Sequence, residues 1–267
     1  MRNSYDVVII GSGVGGLGAA ARLVAAGHSV LVLEKLPLLG GRFASMEYKG
    51  FTLSTGAEAL ECGGALEEAF HVVGAPFDVQ RPNPDIMYRV GDSEFELPPG
   101  GGGLRRMLSF IGKPGEGDKV MQALKRALTW EEPAKGMSLK DWIGQYTDDP
   151  DIHGFFQSFS AAIFTINANE VMAWTFIRFI KVLGGKIVHA FATHGPSSLM
   201  DGLAGKIKEH GGDVLTRARV RRILVEEGMV RGVTVEKDGD QVEIAARVVL
   251  SNAGPRGTVR LAGRENF

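Results

Sequence analysis

Near its N-terminus the chain contains the stretch DVVIIGSGVGGLGAAARLVAAGHSVLVLEK, Asp6–Lys35, in which signals for strand, turn, helix and strand follow one another. Its β-branched run from Val7 to Ile10 is typical of a strand buried on both faces of a parallel sheet. Small apolar residues predict a helix after the next turn, and Ser29 to Leu33 predicts a second strand. The glycines of that turn have GxGxxG spacing, at Gly11, Gly13 and Gly16. Strand, glycine turn, helix and strand in this order indicate a dinucleotide-binding βαβ unit.

The glycine turn predicts a phosphate site. The first glycine permits the tight turn, the second lets a phosphate approach the backbone, and the third lets the helix pack against the strand. The helix N-terminus then presents free N–H groups and a positive dipole end to the phosphate. The candidate pyrophosphate-binding residues are therefore Gly11, Ser12, Gly13, Val14, Gly15 and Gly16.

An acidic residue ends the second predicted strand. Glu34 lies 18 residues after Gly16 (34 − 16), close to the spacing at which a carboxylate accepts hydrogen bonds from a ribose. A carboxylate here disfavours a 2′-phosphate, so FAD or NAD is expected rather than NADP. Glu34 and the adjacent Lys35 are candidate cofactor-binding residues.

The segment after the second strand, EKLPLLGGRFASMEYKGFTLSTGAEAL, Glu34–Leu60, resembles the same region of the phytoene desaturase and amine oxidase superfamily of FAD enzymes. The resemblance implies that the GGR turn, Gly40, Gly41 and Arg42, faces the pyrophosphate, where a guanidinium suits a phosphate. It also implies that Thr55, Gly56 and Ala57 lie beside the isoalloxazine ring. Ser54 stands where many relatives carry aspartate, which puts any role of an acid there in doubt.

Two downstream segments extend the resemblance. Residues Gly195 to Val235 resemble the family's return to the FAD domain, which implies that the backbone of Val220 hydrogen-bonds the adenine edge. Residues Ser251 to Gly254 match the family's turn beside the dinucleotide, so Asn252 and Ala253 are candidate cofactor-binding residues. With the GGR turn, these matches favour FAD over the weaker alternative, an NAD-linked dehydrogenase domain.

These features predict an α/β fold with two domains. Residues 1–60 and 195–267 form a Rossmann-like FAD-binding domain, a parallel sheet with flanking helices and a β-hairpin or meander. Residues 61–194 form an inserted, largely helical α+β substrate domain. Within them we expect a hairpin turning at Gly91-Asp92, a flexible loop at Gly100 to Gly103, and a helix capped by Ser138. A second hairpin turns at Asp238-Gly239, and a buried strand follows at residues 248–250.

Two apolar stripes at helical spacing, in residues 152–164 and 171–183, are the strongest signal of the insertion. They predict a helical core first and the wall of an apolar substrate site second, because aromatic stripes mostly bury themselves. His153, His189 and His194 are assigned structural or surface roles, and no motif indicates a metal site. Catalytic residues remain unidentified.

Composition excludes other classes of protein. Thirty basic and 31 acidic residues leave a net charge of −1, which gives no positive field for nucleic acid. The single cysteine, Cys62, forms no internal disulfide. No export signal or membrane span is predicted. We expect a cytoplasmic protein, or one attached peripherally to a membrane.

The expected function is that of an FAD-dependent oxidoreductase of the phytoene desaturase type. It would transfer hydride between an apolar, isoprenoid-like or polyene-like substrate and the flavin. An amine-oxidase-like enzyme and a noncatalytic, half-site FAD-binding subunit are alternatives. In the family that the chain resembles, a later Gly-Asp turn closes the flavin site, and no such turn follows Pro255. We therefore expect the FAD-binding domain to be incomplete at its C-terminal end, completed by a missing segment or a second chain, and weak or absent flavin chemistry in the isolated chain.

Overall fold

The computed structural model describes residues 2–82, 87–96, 101–183, 188–237 and 239–267. The chain divides into two compact units, one of Met1–Pro82 with Val188–Phe267 and one of Asn83–Ile187. The domain boundaries expected from the sequence, at residues 60/61 and 194/195, stay a prediction.

The described part of the chain contains 13 strands, nine helices and one 3₁₀ turn. The described strands are β1 (Ser4–Ile10), β2 (Val30–Leu33), β3 (Ser45–Tyr48), β4 (Phe51–Ser54), β5 (Ala59–Cys62), β6 (Val79–Gln80), β7 (Met87–Val90), β8 (Ser93–Glu96), β9 (Val188–Ala192), β10 (Asp213–Leu215), β11 (Arg219–Glu226), β12 (Met229–Lys237) and β13 (Asp240–Ser251). The described helices are α1 (Val14–Ala25), α2 (Ala65–Val72), α3 (Gly101–Ile111), α4 (Glu116–Thr129), α5 (Leu139–Gly144), α6 (Pro150–Phe164), α7 (Ala173–Leu183), α8 (Pro196–Glu209) and α9 (Pro255–Ala262), with a 3₁₀ turn at Arg264–Asn266.

A six-stranded sheet of order β10-β2-β1-β13-β12-β11 is the centre of the first unit. β1 pairs in parallel with both β2 and β13, and β10 pairs in parallel with β2. Ile10 lies opposite Leu33 and Ser251, and Leu33 lies opposite Leu215. The carboxyl ends of four strands therefore meet at one edge. This arrangement confirms the predicted α/β fold with a parallel sheet.

Apolar residues cover both faces of this sheet. On one face, α1 and α8 bury residues such as Leu17 and Leu203 against Ile9 and Val32. On the other, Val8 and further strand residues form a separate core with the antiparallel strands β11 and β12. A central sheet buried on both sides requires nearly continuous apolar runs, such as Val7–Ile10 in β1 and Val30–Leu33 in β2.

The two predicted hairpins are confirmed as pairs of strands. β7 and β8 pair antiparallel around Gly91-Asp92, and β12 and β13 pair antiparallel around a turn whose Asp238 lies outside the described residues. The prediction of a buried strand at residues 248–250 is wrong for Val248, which is 52% exposed. β12 pairs with β13 only as far as Ala245, so no described strand covers the second edge of β13 beside Val248.

The second unit holds a helical core. Phe156 and Phe176 are 2% exposed and pack with Trp142, Ile152 and other apolar residues of α3 to α7. This confirms the helical-core interpretation of the two apolar stripes. Ser138 caps α5, as predicted, and its hydroxyl accepts a hydrogen bond from the backbone N–H of Asp141.

The predicted flexible loop at Gly100 to Gly103 is wrong over its described part, because α3 begins at Gly101. Gly100 itself lies outside the described residues. Met107 and Leu108 of α3 are almost completely buried, and this tertiary packing outweighs the low helix propensity of glycine. Among the described helices, none is long and apolar enough to cross a membrane.

Candidate functional site

The glycine turn lies at the carboxyl edge of the parallel sheet. The Gly11 N–H donates to the Leu33 carbonyl at 2.8 Å, and the Asn252 N–H donates to the Ile10 carbonyl at 2.8 Å. These two bonds continue the pairing of β1 with β2 and β13 by one residue. The segments after three neighbouring strands are therefore held side by side, in the crevice where open α/β sheets bind ligands.

Close packing requires glycine at position 16. A Cβ on Gly16 would lie 2.1 Å from the Gly11 carbonyl oxygen, so any side chain would push α1 away from β1. Gly13 is the N-cap of α1 and, within the part of the chain that the structure describes, no side chain caps this helix. The first N–H groups of α1 and its positive dipole end therefore face outward, as an anion site requires.

Glu34 is buried, 6% exposed, and anchors the glycine turn. Its Oε2 accepts hydrogen bonds from the Ser12 N–H at 3.0 Å and the Ser12 hydroxyl at 2.9 Å. Its Oε1 accepts one from the Leu36 N–H at 2.9 Å. A carboxylate has about four acceptor positions, so about one remains for a ligand hydroxyl. The sequence predicts a carboxylate that binds the ribose, but it does not predict that Glu34 also holds the glycine turn. The signal for that contact in the sequence is the hydroxyl-bearing residue Ser12.

The GGR turn packs directly on the glycine turn. The Gly40 N–H donates to the Ser12 carbonyl at 3.0 Å, and Gly13 and Gly40 form an isolated parallel bridge. A Cβ on Gly41 would lie 3.3 Å from the Gly13 Cα. The structure thus brings together two motifs that are separated in the sequence by α1 and β2. Arg42 is exposed, with no ion partner among the described residues.

Residues 55–57 are hydrogen-bonded to the segment that follows the GGR turn. The Thr55 N–H donates to the Ala44 carbonyl at 2.9 Å, and the Ala57 N–H donates to the Arg42 carbonyl at 2.8 Å. A Cβ on Gly56 would lie 2.0 Å from the Arg42 carbonyl oxygen. These exposed residues therefore lie next to Arg42, on the same unit as the glycine turn.

The start of β11 reaches the same edge. The Ala218 N–H donates to the Glu34 carbonyl at 2.8 Å, and the Arg217 N–H donates to the Leu36 carbonyl at 3.1 Å. Val220, 9% exposed, follows within the core formed by β11, β12 and the main sheet. The structure therefore places Val220 near Glu34. Sequence reasoning missed Arg217 and Ala218, which make the contacts that position it.

The segment after β13 completes this edge. Asn252 and Ala253 are exposed, and the Asn252 side chain lies over the glycine turn. A Cβ on Gly13 would lie 2.6 Å from the Asn252 Oδ1, and one on Gly15 would lie 3.0 Å from the Asn252 Nδ2. The resemblance predicted that this segment lies beside the dinucleotide. It did not predict that the Asn252 side chain covers Gly13 and Gly15.

The opposite end of the sheet is stabilised by two polar contacts. The Tyr5 hydroxyl donates to the Asp213 Oδ2 at 2.6 Å, joining β1 to β10. Burial, followed by this hydrogen bond, raises the pKa of Tyr5 to about 12. Asp6 accepts hydrogen bonds from the Ser29 N–H at 3.0 Å and the Ser29 hydroxyl at 2.8 Å, which lower its pKa to about 2. These contacts support β1 rather than the ligand.

The donor set of this edge fits an anionic dinucleotide better than a metal. The edge offers uncapped helix N–H groups, the exposed Arg42 guanidinium and one partly satisfied carboxylate. Searched over the described ranges, the chain has no group of three His, Cys, Asp or Glu side chains that could hold a metal ion. The residues present therefore fit the ADP half of FAD.

Comparison with known proteins agrees with this chemistry. The family model described as flavin containing amine oxidoreductase matches residues 14–259. The chain is 25% identical over 295 residues to the chloroplastic prolycopene isomerase of Daucus carota, a match over 93% of this chain and 46% of that protein. It is 28% identical over 297 residues to the all-trans-retinol 13,14-reductase of Macaca fascicularis, over 93% of this chain and 47% of that protein.

A crystal structure of an oxidoreductase from Methanosarcina mazei is similar over a comparable extent. Its TM-score is 0.80 at 28% identity, and the match covers 96% of this chain and 60% of that one. The chain thus spans about half the length of the curated relatives that it matches.

Proposed function

The chain belongs to the family of flavin containing amine oxidoreductases, and we propose that its reaction is hydride transfer between FAD and an apolar, polyene-like substrate. It is a flavin oxidoreductase of the phytoene desaturase and amine oxidase superfamily, with FAD as its cofactor. The specific reaction and substrate are the new elements of the proposal.

One observation carries the FAD-binding part of the proposal: the contact between the glycine turn and the GGR turn at the carboxyl edge of the sheet. The Gly13 to Gly40 bridge places uncapped helix N–H groups and the segment of Arg42 on one site. A diphosphate needs several donors and a compensating positive charge, and this edge offers both. Neither motif alone would supply them.

Each part of FAD then has a proposed partner. The N–H groups at Gly13 to Gly15 and the Arg42 guanidinium bind the pyrophosphate. Glu34, with Lys35 beside it, binds the ribose, and the backbone of Val220 binds adenine. Residues 55–57 lie beside the flavin ring. The geometry supports these roles because all the segments are held within one compact unit.

The cofactor supplies the redox chemistry when it is bound, since its flavin accepts or donates hydride. The protein groups at this edge bind and orient it. Glu34 accepts two hydrogen bonds from Ser12 of the glycine turn and one from the Leu36 N–H after β2, so the phosphate-binding N–H groups keep their direction whether or not a ribose is bound.

The relatives support the substrate class. The carrot protein is a prolycopene isomerase and the macaque protein is a retinol reductase, and both names denote apolar polyenes. Such a substrate partitions into membranes. We therefore also propose a cytoplasmic protein that contacts a membrane peripherally.

A half-site FAD-binding subunit is the second candidate function. In this case a further segment or a second chain would complete the flavin site. Nucleic acid is not among the proposed partners, because the net charge of −1 offers no attraction to phosphate backbones.

An anaerobic reduction experiment separates the candidates. The chain is loaded with FAD and mixed with a polyene in detergent micelles or with benzylamine, and flavin absorbance near 450 nm is followed. Bleaching by the polyene alone, or recovery of absorbance when the polyene is added to flavin reduced beforehand, supports the proposal. Bleaching by the amine alone would replace the substrate class, and bound flavin that neither substrate reduces or reoxidises would favour the half-site subunit.

A further inference from the structure

The hairpin of β3 and β4 in the first unit has one apolar face that is exposed. In its register Met46 lies opposite Leu53, and Tyr48 lies opposite Phe51. Since side chains alternate along a strand, these four side chains point to the same side of the hairpin. Their exposed fractions are 45%, 44%, 51% and 69%, in that order. A continuous apolar face of this kind indicates contact with an apolar partner.

The opposite, polar face of the hairpin packs on the rest of the unit. Three hydrogen bonds of 2.8 to 3.1 Å join Ser45 to Ser197, near the start of α8. The Thr52 hydroxyl donates to the Glu47 Oε1 at 2.6 Å, and a Cβ on Gly195 would lie 2.8 Å from the Thr52 Cγ2. The hairpin is therefore held by its polar face, the reverse of the usual arrangement in which a sheet packs its apolar face inward.

A cation lies at the tip of the hairpin. The two turn residues, Lys49 and Gly50, have positive φ of 49° and 81°, as in a type I′ turn. The exposed Lys49 Nζ lies 5.2 Å from the centroid of the Tyr48 ring. Tyrosine rings and lysine ammonium groups beside apolar surface are typical of the boundary between lipid headgroups and acyl chains. The charge of Lys49 is complementary to anionic headgroups.

The size of the apolar face favours a lipid surface over a second protein. Four apolar side chains that are about half exposed present on the order of 400 Å². A stable protein interface buries about 800 Å² on each partner. An interfacial segment embeds its apolar face only about 5 to 10 Å into a bilayer. Strands of four residues, about 13 Å long, reach that depth.

We propose that the apolar face of the β3–β4 hairpin embeds in the surface of a bilayer that contains anionic lipids. The four apolar side chains enter the boundary between headgroups and acyl chains, and Lys49 pairs with anionic headgroups at the tip. This inference rests on the proposed function, because a polyene substrate would reach the protein from a membrane. β4 leads directly into residues 55–57, which are proposed to lie beside the flavin ring.

Sedimentation of the full chain with vesicles, at millimolar lipid, tests this contact. The vesicles are of phosphatidylcholine, with or without one third phosphatidylserine. The wild type should bind both and prefer the anionic vesicles. Phe51→Glu should lower the partition coefficient about tenfold or more on both, because a charge replaces an apolar ring. Lys49→Gln should lower it about fivefold on the anionic vesicles alone.

Phe267→Glu is the matched control, because it makes the same exchange at a side chain that is 77% exposed. This variant should bind vesicles like the wild type. Since Phe51 is exposed, Phe51→Glu should keep the unfolding temperature and the FAD affinity of the wild type. It should also keep wild-type flavin reduction or reoxidation by a polyene in detergent micelles, which need no vesicle contact.

Three results would overturn the proposal. The first is a wild-type chain that stays in the supernatant at every lipid concentration, and the second is Phe51→Glu that sediments like the wild type. The third is a dimer, detected by light scattering, that Phe51→Glu dissociates, because a second copy would then cover this face. Vesicle binding that depends on Phe51, in a chain that binds no FAD or reacts with no polyene, supports this inference although the proposed function fails.

Discussion

The sheet edge of the first unit and the helical core of the second unit are built on different principles. At the edge, Gly16 and Gly56 approach backbone carbonyls so closely that one added carbon would lie 2.1 Å and 2.0 Å from them. In the helical core, Phe156 packs edge-on against Phe155 and Phe176, with ring centroids 5.3 and 5.8 Å apart. At the edge, a single added carbon atom would clash with the backbone. In the core, by contrast, the requirement is for apolar side chains of the right volume.

The largest expected effect is on the helical core. Phe156→Ala removes a ring that is 2% exposed and should lower the free energy of unfolding by about 3 to 5 kcal/mol. The cost combines lost transfer free energy with a cavity. Urea denaturation followed by circular dichroism measures it, and ADP affinity of the folded variant should be unchanged.

Trp130→Ala is the matched control in the same unit, because Trp130 is 73% exposed. Its effect should stay within about 0.5 kcal/mol. A comparable loss in both variants would show that Phe156 is not part of a close-packed core.

The next effect is on the sheet edge. Gly16→Ala places a Cβ against the Gly11 carbonyl oxygen and should cost about 3 kcal/mol, because α1 must move away from β1. The same displacement should weaken ADP binding strongly. Chemical denaturation measures the loss of stability, and titration with ADP measures the loss of affinity. Gly16→Ala should show both losses, whereas Phe156→Ala should show only the loss of stability.

Gly18→Ala provides the control within α1. A Cβ there would lie 3.8 Å from the Ala69 Cβ, an ordinary contact, and alanine favours helix by about 1 kcal/mol over glycine. The variant should be as stable as the wild type or more stable, with wild-type ADP affinity. Equal damage from both substitutions would contradict the close approach at Gly16.

The same difference explains how much could be predicted from sequence. The glycines and Glu34 follow local rules of turn geometry and charge, so the βαβ unit and a dinucleotide ligand could be inferred from spacing. The role of the GGR turn and the choice of FAD followed only from the resemblance to a known family. The contact of Asn252 with Gly13 and Gly15 joins residues more than 230 positions apart and depends on how β13 pairs with β1. Spacing carries no information about such a contact.

In the helical unit, a local sequence signal gave a wrong prediction. Its apolar stripes predict buried helices correctly, yet the glycines at the start of α3 predict a loop. Burial of Met107 and Leu108 reverses that local preference. The prediction that Val248 is buried was wrong for a related reason. The exposure of a strand residue depends on its neighbours in the folded sheet, which the local sequence does not specify.

A smaller effect is expected at Glu34. Glu34→Gln retains one acceptor oxygen but places an NH₂ group against a backbone N–H, so one buried donor at Ser12 or Leu36 loses its partner. The free energy of unfolding should fall by about 2 kcal/mol, and ADP affinity should fall with it. Ser12→Ala, which removes only the hydroxyl contact, should cost less than Glu34→Gln in the same denaturation assay.

The smallest effect is at Tyr5, far from the proposed ligand. Tyr5→Phe removes the hydrogen bond to Asp213 and should cost about 1 kcal/mol at pH 7, without changing ADP affinity.

Its pH dependence has a defined sign. The pKa of Tyr5 is about 12 in the folded chain against an ordinary value of 10.0, so its contribution to stability is present below pH 10 and is lost as the pH rises through 12. The stability difference between wild type and Tyr5→Phe should therefore narrow over this range, as measured by urea denaturation at a series of pH values. A difference that stays constant from pH 9 to 12 would contradict the raised pKa.

A competition experiment tests whether the sheet edge binds the ADP half of FAD. Isothermal titration of the purified chain with FAD, with ADP as competitor and NAD in a separate titration, measures the three affinities. We expect one FAD site per chain, displacement of FAD by ADP, and weaker binding of NAD than of FAD. Tighter binding of NAD than of FAD, or FAD that ADP cannot displace, would contradict it.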